Sequence, residues 1–247
     1  MKEKIKLLFL SASPDRVRSD RELRDITSKI RDAPFRDAFV VADAWAVRTR
    51  DVQGILLDQK AQIVHFSGHG THSRGILLED EFGKPIPVNA PAIRGLFEPL
   101  RGITKVVLLN ACATRPLAKG LRDVVDHIIT TRRPITDRAA IVFATQFYSG
   151  LAYGLNVPDA FHSAVNQLRI GETAPEADIP ELVSREGTVA EPLVKKRVRD
   201  PKLHPPKSRG IESYTTNLQG ARADGPIVVA TGKNNKIDYT VQRKGRR

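Results

Sequence analysis

A histidine between two glycines and the chain's single cysteine are the residues whose types could together do covalent chemistry. The histidine is His69, in the stretch IVHFSGHG, and the cysteine is Cys112, in the stretch VVLLNACA. A thiol becomes a strong nucleophile once a base removes its proton, and imidazole suits that task near neutral pH. The pair therefore predicts nucleophilic attack by Cys112 with His69 as its general base.

Small residues around both positions leave room for a substrate carbonyl group. Glycine lets the chain turn sharply and approach a ligand closely, and alanines flank the cysteine. Backbone N–H groups are effective donors to the negative oxygen that forms when a carbonyl is attacked. The N–H groups of Gly70 and Cys112 are the candidates for this oxyanion site.

Both residues follow short apolar runs that predict buried strands, and helical patterns separate these runs. The predicted strands are Ile5–Ala12, Phe35–Trp45, Ala61–Ser67, Lys105–Asn110 and His127–Thr131, with a hairpin arm at Gly75–Glu79. The predicted helices are Ser19–Arg31, Val52–Lys60, Ala90–Leu100, Pro116–Val124, Asp137–Leu151 and Asp159–Arg169. The alternation predicts a three-layer α/β/α sandwich with a mostly parallel central sheet.

This architecture places the two chemically interesting residues at the same edge of the sheet. Ligands of parallel sheets bind beyond the carboxyl ends of the strands, and neighbouring strands lie about 4.8 Å apart. His69 and Cys112 each come just after a predicted central strand. We therefore expect them to face one another across a shallow cleft.

Composition and cysteine usage exclude several classes of protein. A hydrophobic fraction of 40% with 28% charged residues is typical of a soluble globular protein, and no apolar run approaches the roughly 20 residues that span a bilayer. A lone cysteine cannot form an intramolecular disulfide, which favours the cytoplasm, and no zinc-ligand spacing is present. Ile5–Ala12 follows lysines as a signal peptide would, but Lys6 interrupts the run, which favours a buried first strand.

Charge and proline content change after residue 171. Residues 172–210 contain six prolines and predict a linker or extended arm. Residues 193–247 carry 14 Lys and Arg against 4 Asp and Glu, whereas the rest of the chain is nearly neutral. Residues 211–247 contain a strand–turn–strand pattern. We therefore expect three parts, 1–171, 172–210 and 211–247.

The basic tail has several interpretations. It fits a solvated extension, a contact for nucleic acid or anionic lipid, or a site for a sensor or adaptor protein. Only Tyr214 and Tyr239 offer aromatic stacking, which makes nucleic-acid recognition the weaker interpretation. The run from Ile227 to Ile237 also loosely resembles amyloid signalling motifs, although stacked Lys233 and Lys236 would repel one another.

Taken together, the motifs of residues 5–171 resemble the CHAT branch of the caspase-like cysteine peptidases, relatives of caspases and separases. The resemblance rests on SASP, VHFSGHG, GILLEDEFGKPIPV, VVLLNACAT and TRRPITDRAAIVFATQFYSGLAYG. It implies that His69 is the catalytic histidine, that Cys112 is the nucleophile, and that a protein substrate is cleaved through an acyl-enzyme. It also implies that no metal or organic cofactor is needed, and it suggests an effector in bacterial defence or programmed death.

Two further residues concern the choice of substrate. Relatives that cleave after Arg or Lys place an acidic side chain in the pocket for that residue, and Asp137 is the candidate here. The alternative is that Thr136 or Asp137 caps the following helix. Asn110, two residues before Cys112, is a second candidate for substrate binding. It stands where related enzymes sometimes carry an acid, and this difference weakens a prediction of strict basic specificity.

Two other functions compete with the peptidase. One is a catalytically silent caspase-like interaction module, and the other is a nucleic-acid-binding protein that acts through the tail. The presence of both His69 and Cys112 favours the peptidase over a silent module. His65 is expected to be a packed core residue on the sheet face opposite Phe66, because alternate strand residues point to opposite faces.

Overall fold

A six-stranded sheet organises the first compact unit of the chain, Met1–Arg197. The computed structural model describes residues 4–11, 16–68, 76–111, 114–194, 227–233 and 236–242. The strands of this unit are β1 (Ile5–Ser11), β2 (Phe39–Trp45), β3 (Ile63–Ser67), β4 (Leu77–Glu79), β5 (Pro85–Pro87), β6 (Val106–Asn110), β7 (His127–Thr131) and β8 (Pro180–Ser184). The order in the sheet is β2-β1-β3-β6-β7-β8, while β4 and β5 form a separate antiparallel pair.

Five strands of the sheet are parallel, and β8 runs antiparallel to β7 at one edge. Strands β3 and β6 are the two central strands, as their continuous apolar character indicates. The prediction of an α/β fold with a mostly parallel sheet is confirmed.

Six helices cover the two faces of the sheet. They are α1 (Arg16–Asp32), α2 (Val52–Gln59), α3 (Ala90–Phe97), α4 (Arg115–Leu121), α5 (Asp137–Ala152) and α6 (Val157–Ile170). Buried residues of α1, α5 and α6 pack on one face, and those of α2, α3 and α4 pack on the other. None of these helices, within the part of the chain that is described, is long and apolar enough to cross a membrane.

Side-chain alternation along the strands separates the two cores. In β3, Ile63 points into the core beneath α1, α5 and α6, whereas Val64 and Phe66 point into the core beneath α2, α3 and α4. The same alternation holds for Leu108 and Leu109 of β6. Because both faces are buried, apolar residues occupy successive positions of β3 and β6 rather than only alternate ones.

Local sequence signals determine where the helices begin. The Asn89 side chain accepts a hydrogen bond from the Ala92 N–H at 2.9 Å at the start of α3, and Asn156 caps α6 in the same way. Gly120 of α4 lies against the first turn of α3, where an added Cβ would meet the Ala90 carbonyl oxygen at 2.2 Å. The absence of a side chain at Gly120 therefore lets α4 pack directly on α3.

Several elements begin or end a few residues from the predicted bounds, and β2 and β8 are two examples. Strand β2 begins at Phe39, because a 3₁₀ turn at Arg36–Ala38 precedes it. Part of the segment predicted as a linker instead contributes β8 to the sheet. Pro180 opens this strand at the sheet edge, a position where the missing N–H of proline is tolerated, and the proline obscured the short strand in the sequence.

In the second compact unit, Val198–Arg247, the structure describes residues 227–233 and 236–242, and each of these segments is a strand. These are β9 (Ile227–Lys233) and β10 (Lys236–Gln242), which pair in antiparallel register with Ile237 opposite Gly232. A strand–turn–strand pattern is what the sequence predicts for this segment.

Candidate active site

The ends of β3 and β6 form the framework of the candidate site. The two strands are adjacent and parallel, and their last residues, Ser67 and Asn110, are register partners. His69 follows the first of these by two residues and Cys112 follows the second by two residues. His69, Gly70 and Cys112 lie outside the described residues, so the site is built from the strands and helices that lead into and out of them.

A buried carboxylate contacts the last residues of both strands. Glu22, on α1, is 2% exposed. Its Oε2 accepts a hydrogen bond from Ser67 Oγ at 2.6 Å, and its Oε1 accepts one from Asn110 Nδ2. Oε1 also lies 3.2 Å from Nε2 of His65. One carboxylate therefore joins α1 to the ends of β3 and β6.

The surroundings of Glu22 favour its ionised form. Burial by itself raises the pKa of this carboxyl, since it removes water from the charge. The positive charge of His65 and hydrogen bonds from His65, Ser67 and Asn110 outweigh burial, so the pKa of Glu22 lies below its ordinary value of 4.5. The network therefore contains a negative charge at neutral pH.

Two aromatic side chains, Phe9 and Tyr148, also contact the His65 ring. The His65 ring stacks on that of Tyr148 at an interplanar angle of 19° and a centroid distance of 5.7 Å. The centroid of the Phe9 ring lies 4.8 Å from that of His65. The Tyr148 hydroxyl lies 3.2 Å from His65 Nδ1. Burial and the nearby charge of Glu22 raise the pKa of Tyr148 well above its ordinary value, so its hydroxyl stays protonated. His65 is thus the packed core histidine that the sequence predicts.

A second hydrogen-bonded cluster holds Ala111 and Thr114, the described residues on either side of Cys112 and Ala113. Thr131, the last residue of β7, donates from Oγ1 to the Ala111 carbonyl at 2.7 Å. Its backbone N–H donates to Thr114 Oγ1 at 3.1 Å, and Thr114 Oγ1 donates to the Leu109 carbonyl at 3.2 Å. The last residue of β7 therefore holds the chain at Ala111 and at Thr114.

Asp137 occupies the first position of α5, and the residue before it caps the helix. Thr136 accepts a hydrogen bond from the Ala139 N–H through Oγ1 at 3.3 Å. Glu176 in turn accepts from the Thr136 N–H at 2.6 Å and from its hydroxyl at 2.8 Å. Asp137 lines a surface groove of about 980 Å³ between α1 and α5, together with Arg21.

Asn110 lies in the interior rather than at the surface. Its side chain is 6% exposed, and its described contact is the hydrogen bond to Glu22. A direct contact between Asn110 and substrate stays a prediction. What the structure assigns to this residue is a bond that ties the end of β6 to α1.

Sequence reasoning missed the residues that support the strand ends. Glu22 lies four positions before Ile26 and eight before Ile30, on the helical stripe that faces the core. A carboxylate on an apolar stripe is the signal that could have identified it. Thr131 and Tyr148 carry no comparable signal, because each fits an ordinary buried position in its strand or helix.

Comparison with solved structures defines the class of this fold. A secreted C11 cysteine protease from Bacteroides thetaiotaomicron, solved with an irreversible peptide inhibitor, superimposes with a TM-score of 0.51 at 11% identity. The match covers 67% of this chain and 60% of that protein. The fold is that of the caspase-like cysteine proteases.

The sequence comparison specifies the family. The CHAT domain model matches residues 10–179, more than half of the chain, and the chain belongs to the CHAT domain family. A Roc-COR-CHAT protease from an unknown prokaryotic organism is 24% identical over 178 residues, or 66% of this chain. A probable protease of Gillisia limnaea is 26% identical over 153 residues, or 60% of this chain. The chain spans only 16% and 27% of the lengths of these two relatives.

Proposed function

We propose that this protein is a cysteine endopeptidase in which Cys112 is the nucleophile and His69 the general base. The observation that carries the proposal is the register of the two central strands, since Ser67 and Asn110 are partners and each precedes one member of the dyad by two residues. The caspase-like fold and the protease relatives support the same class of reaction.

The reaction proceeds through a covalent acyl-enzyme. His69 takes the proton of the Cys112 thiol, and the sulfur attacks the carbonyl carbon of the scissile peptide bond. Backbone N–H groups of Gly70 and Cys112 stabilise the oxyanion of the tetrahedral intermediate. As the carbon–nitrogen bond breaks, the protonated His69 gives its proton to the leaving amine. Water then attacks the thioester with His69 as base, which releases the acid and restores the thiol.

The substrate preference rests on the side chain of Asp137. We propose that it binds a basic residue beside the cleaved bond, because a carboxylate near the carboxyl edge of the sheet attracts a cation. Thr136 already caps α5, so the capping role does not require the Asp137 carboxylate. Asn110 is proposed to support the site through its bond to Glu22.

The wider setting is also a proposal. The resemblance to CHAT proteins supports an effector in bacterial defence or programmed death, in the cytoplasm, with a protein as substrate. The basic tail is proposed to bind a sensor or adaptor protein, in keeping with its 14 basic and 4 acidic residues between 193 and 247.

Alkylation of the single thiol tests the dyad without knowledge of the substrate. We expect iodoacetamide to modify Cys112 rapidly near pH 7, and the His69→Ala variant to react roughly ten- to a hundredfold more slowly. A library of peptides then supplies the cleavage preference, with Cys112→Ala as the inactive control. An alkylation rate that is the same with and without His69 would overturn the proposed function.

A further inference from the structure

The most unusual group outside the proposed dyad is the buried carboxylate of Glu22. It is 2% exposed and makes polar contacts with Ser67, Asn110 and His65. These partners lie 45, 88 and 43 residues away along the chain, so the contacts exist only in the folded protein. The carboxylate is the point where α1, β3 and β6 meet.

A carboxylate in this place is costly as a means of stabilising the fold. Removal of its water costs several kcal/mol in order of magnitude, and partners in the interior commonly do no more than offset that cost. Well-packed apolar side chains of similar size are often equally stable in such positions. What apolar side chains cannot do is hold two strand ends in one directed geometry through hydrogen bonds.

The two strand ends held by Glu22 are those that lead to the proposed dyad. Ser67 ends β3 two residues before His69, and Asn110 ends β6 two residues before Cys112. Each oxygen of the carboxylate binds one strand end, since Oε2 accepts a hydrogen bond from Ser67 and Oε1 accepts one from Asn110. A carboxylate of fixed geometry thereby sets the separation of these two side chains.

We propose that Glu22 is a positioning residue, which sets the separation and orientation of His69 and Cys112 by holding the last residues of β3 and β6. The inference rests on the proposed function, since it assigns Glu22 a role in the same dyad. A displacement of about 1 Å in a reacting group can cost on the order of a hundredfold in rate. Loss of the carboxylate therefore affects the reactivity of the thiol more than it affects substrate binding.

The test compares Glu22→Gln with a matched control on the same helix. Glutamine preserves the size of the side chain but removes its charge and one of its two acceptor oxygens. Asp32→Asn makes the same chemical change at the exposed end of α1. The measurement is the rate of Cys112 alkylation by iodoacetamide from pH 5 to pH 9, together with the thermal unfolding midpoint of each variant.

We expect Glu22→Gln to slow alkylation at pH 7 by about ten- to a hundredfold. The midpoint of the pH profile should move toward the ordinary thiol value of about 8.5, because a displaced imidazole no longer stabilises the thiolate. His65 and Tyr148 are the described titratable groups that face Glu22. Because a signal from this cluster would combine several groups, the pH profile is measured on the alkylation of the thiol itself. Asp32→Asn should match the wild type in rate and profile.

A second variant decides the question if Glu22→Gln does not fold. Ser67→Ala removes a single hydroxyl and frees only the end of β3, and we expect it to slow alkylation by about tenfold, by the same loss of positioning. A peptide substrate, once known, should show the loss in kcat with KM changed by less than about threefold.

The outcomes separate this inference from the function on which it rests. If His69→Ala leaves alkylation of the wild-type thiol unchanged, the proposed dyad is wrong, and the positioning role is lost with it. If His69 matters but a folded Glu22→Gln or Ser67→Ala protein reacts at the wild-type rate with the wild-type profile, the dyad stands and the role of Glu22 is refuted.

Discussion

Two carboxylates join neighbouring strands of the central sheet, one at the carboxyl ends of the strands and the other at their amino ends, and the two differ in their surroundings. Glu22 joins the carboxyl ends of β3 and β6 and is 3% exposed in its side chain. Asp126 precedes β7 at the amino ends, where it binds Lys105 before β6 at 3.1 Å and Arg185 after β8. Its side chain is 15% exposed, and those of its two partners are 38% and 41% exposed.

The two carboxylates keep their charge for different reasons. Burial raises the pKa of each, but Glu22 is compensated by the charge of His65 and by directed bonds from neutral side chains. Asp126 is compensated by hydrogen bonds and charge from two long, flexible cations, and its pKa also lies below its ordinary value of 3.8. The hydrogen bonds of Glu22 fix the geometry of two strand ends, whereas the contacts of Asp126 are partly exposed ion pairs that salt can screen. We call Glu22 with its partners the enclosed cluster and Asp126 with its partners the open cluster.

Loss of the histidine beside Glu22 should have the largest effect. We expect His65→Leu to lower the free energy of unfolding by about 3–5 kcal/mol at pH 7, because it leaves the buried Glu22 carboxylate without the polar contact from His65 Nε2. The pKa of Glu22 rises in this variant, so the loss should be smaller at pH 5, where a larger fraction of the carboxyl is protonated. Urea unfolding at the two pH values measures both quantities, and a stability equal to the wild type at pH 7 would contradict the interpretation.

Loss of the charge itself should change how stability depends on pH. The pKa of Glu22 is lowered on folding, so its stabilisation is present above about pH 4.5 and is lost as the pH falls through the lower folded value. We expect Glu22→Gln to cost about 1.5–3 kcal/mol at pH 7 and to flatten the decline below pH 4.5. The measurement is chemical unfolding from pH 7 to pH 3.

The contribution of Asp126 to the acid decline is common to the wild type and Glu22→Gln, so their difference isolates Glu22. Parallel curves for the two proteins, with no change of slope below pH 4.5, would show that this carboxyl is not held in its charged form by the fold.

The hydrogen bonds of Thr131 lie at the same carboxyl ends of the strands as Glu22 but involve no charged group. They therefore show what a buried hydrogen bond contributes to stability there without a charge. We expect Thr131→Val to cost about 1–2 kcal/mol at every pH, because the buried Ala111 carbonyl loses its hydrogen bond. Thr130→Val is the matched control, since the Thr130 hydroxyl is buried and has no hydrogen-bond partner among the described residues. Denaturant unfolding should show a loss of stability for Thr131→Val and none for Thr130→Val.

The open cluster should give the smallest effect. We expect Asp126→Asn to cost about 0.5–1 kcal/mol at low salt and less in 1 M salt, because solvent-exposed partners are screened. The cost of Glu22→Gln should stay the same in the two salts. Unfolding of both variants at low and high salt checks this, and equal salt dependence would mean that the two clusters do not differ as described.

Most elements of the fold could be predicted from the sequence, because their signals are local. The apolar runs of β1, β3, β6 and β7 and the helical periods between them follow from neighbours a few residues apart. The edge strand β8 could not be predicted from the sequence. It has five residues and begins with a proline, so it has no local strand signal and depends on hydrogen bonds to β7.

The candidate site shows the same division. The types and spacing of His69 and Cys112, each after an apolar run, are enough to propose a Cys–His dyad and to predict that it lies beyond the carboxyl ends of the strands. The register of Ser67 with Asn110 and the contacts of Glu22 were decided only by the tertiary structure. A hydrogen bond between residues 88 positions apart leaves no periodic trace in the sequence, because it depends on where the helices and strands pack.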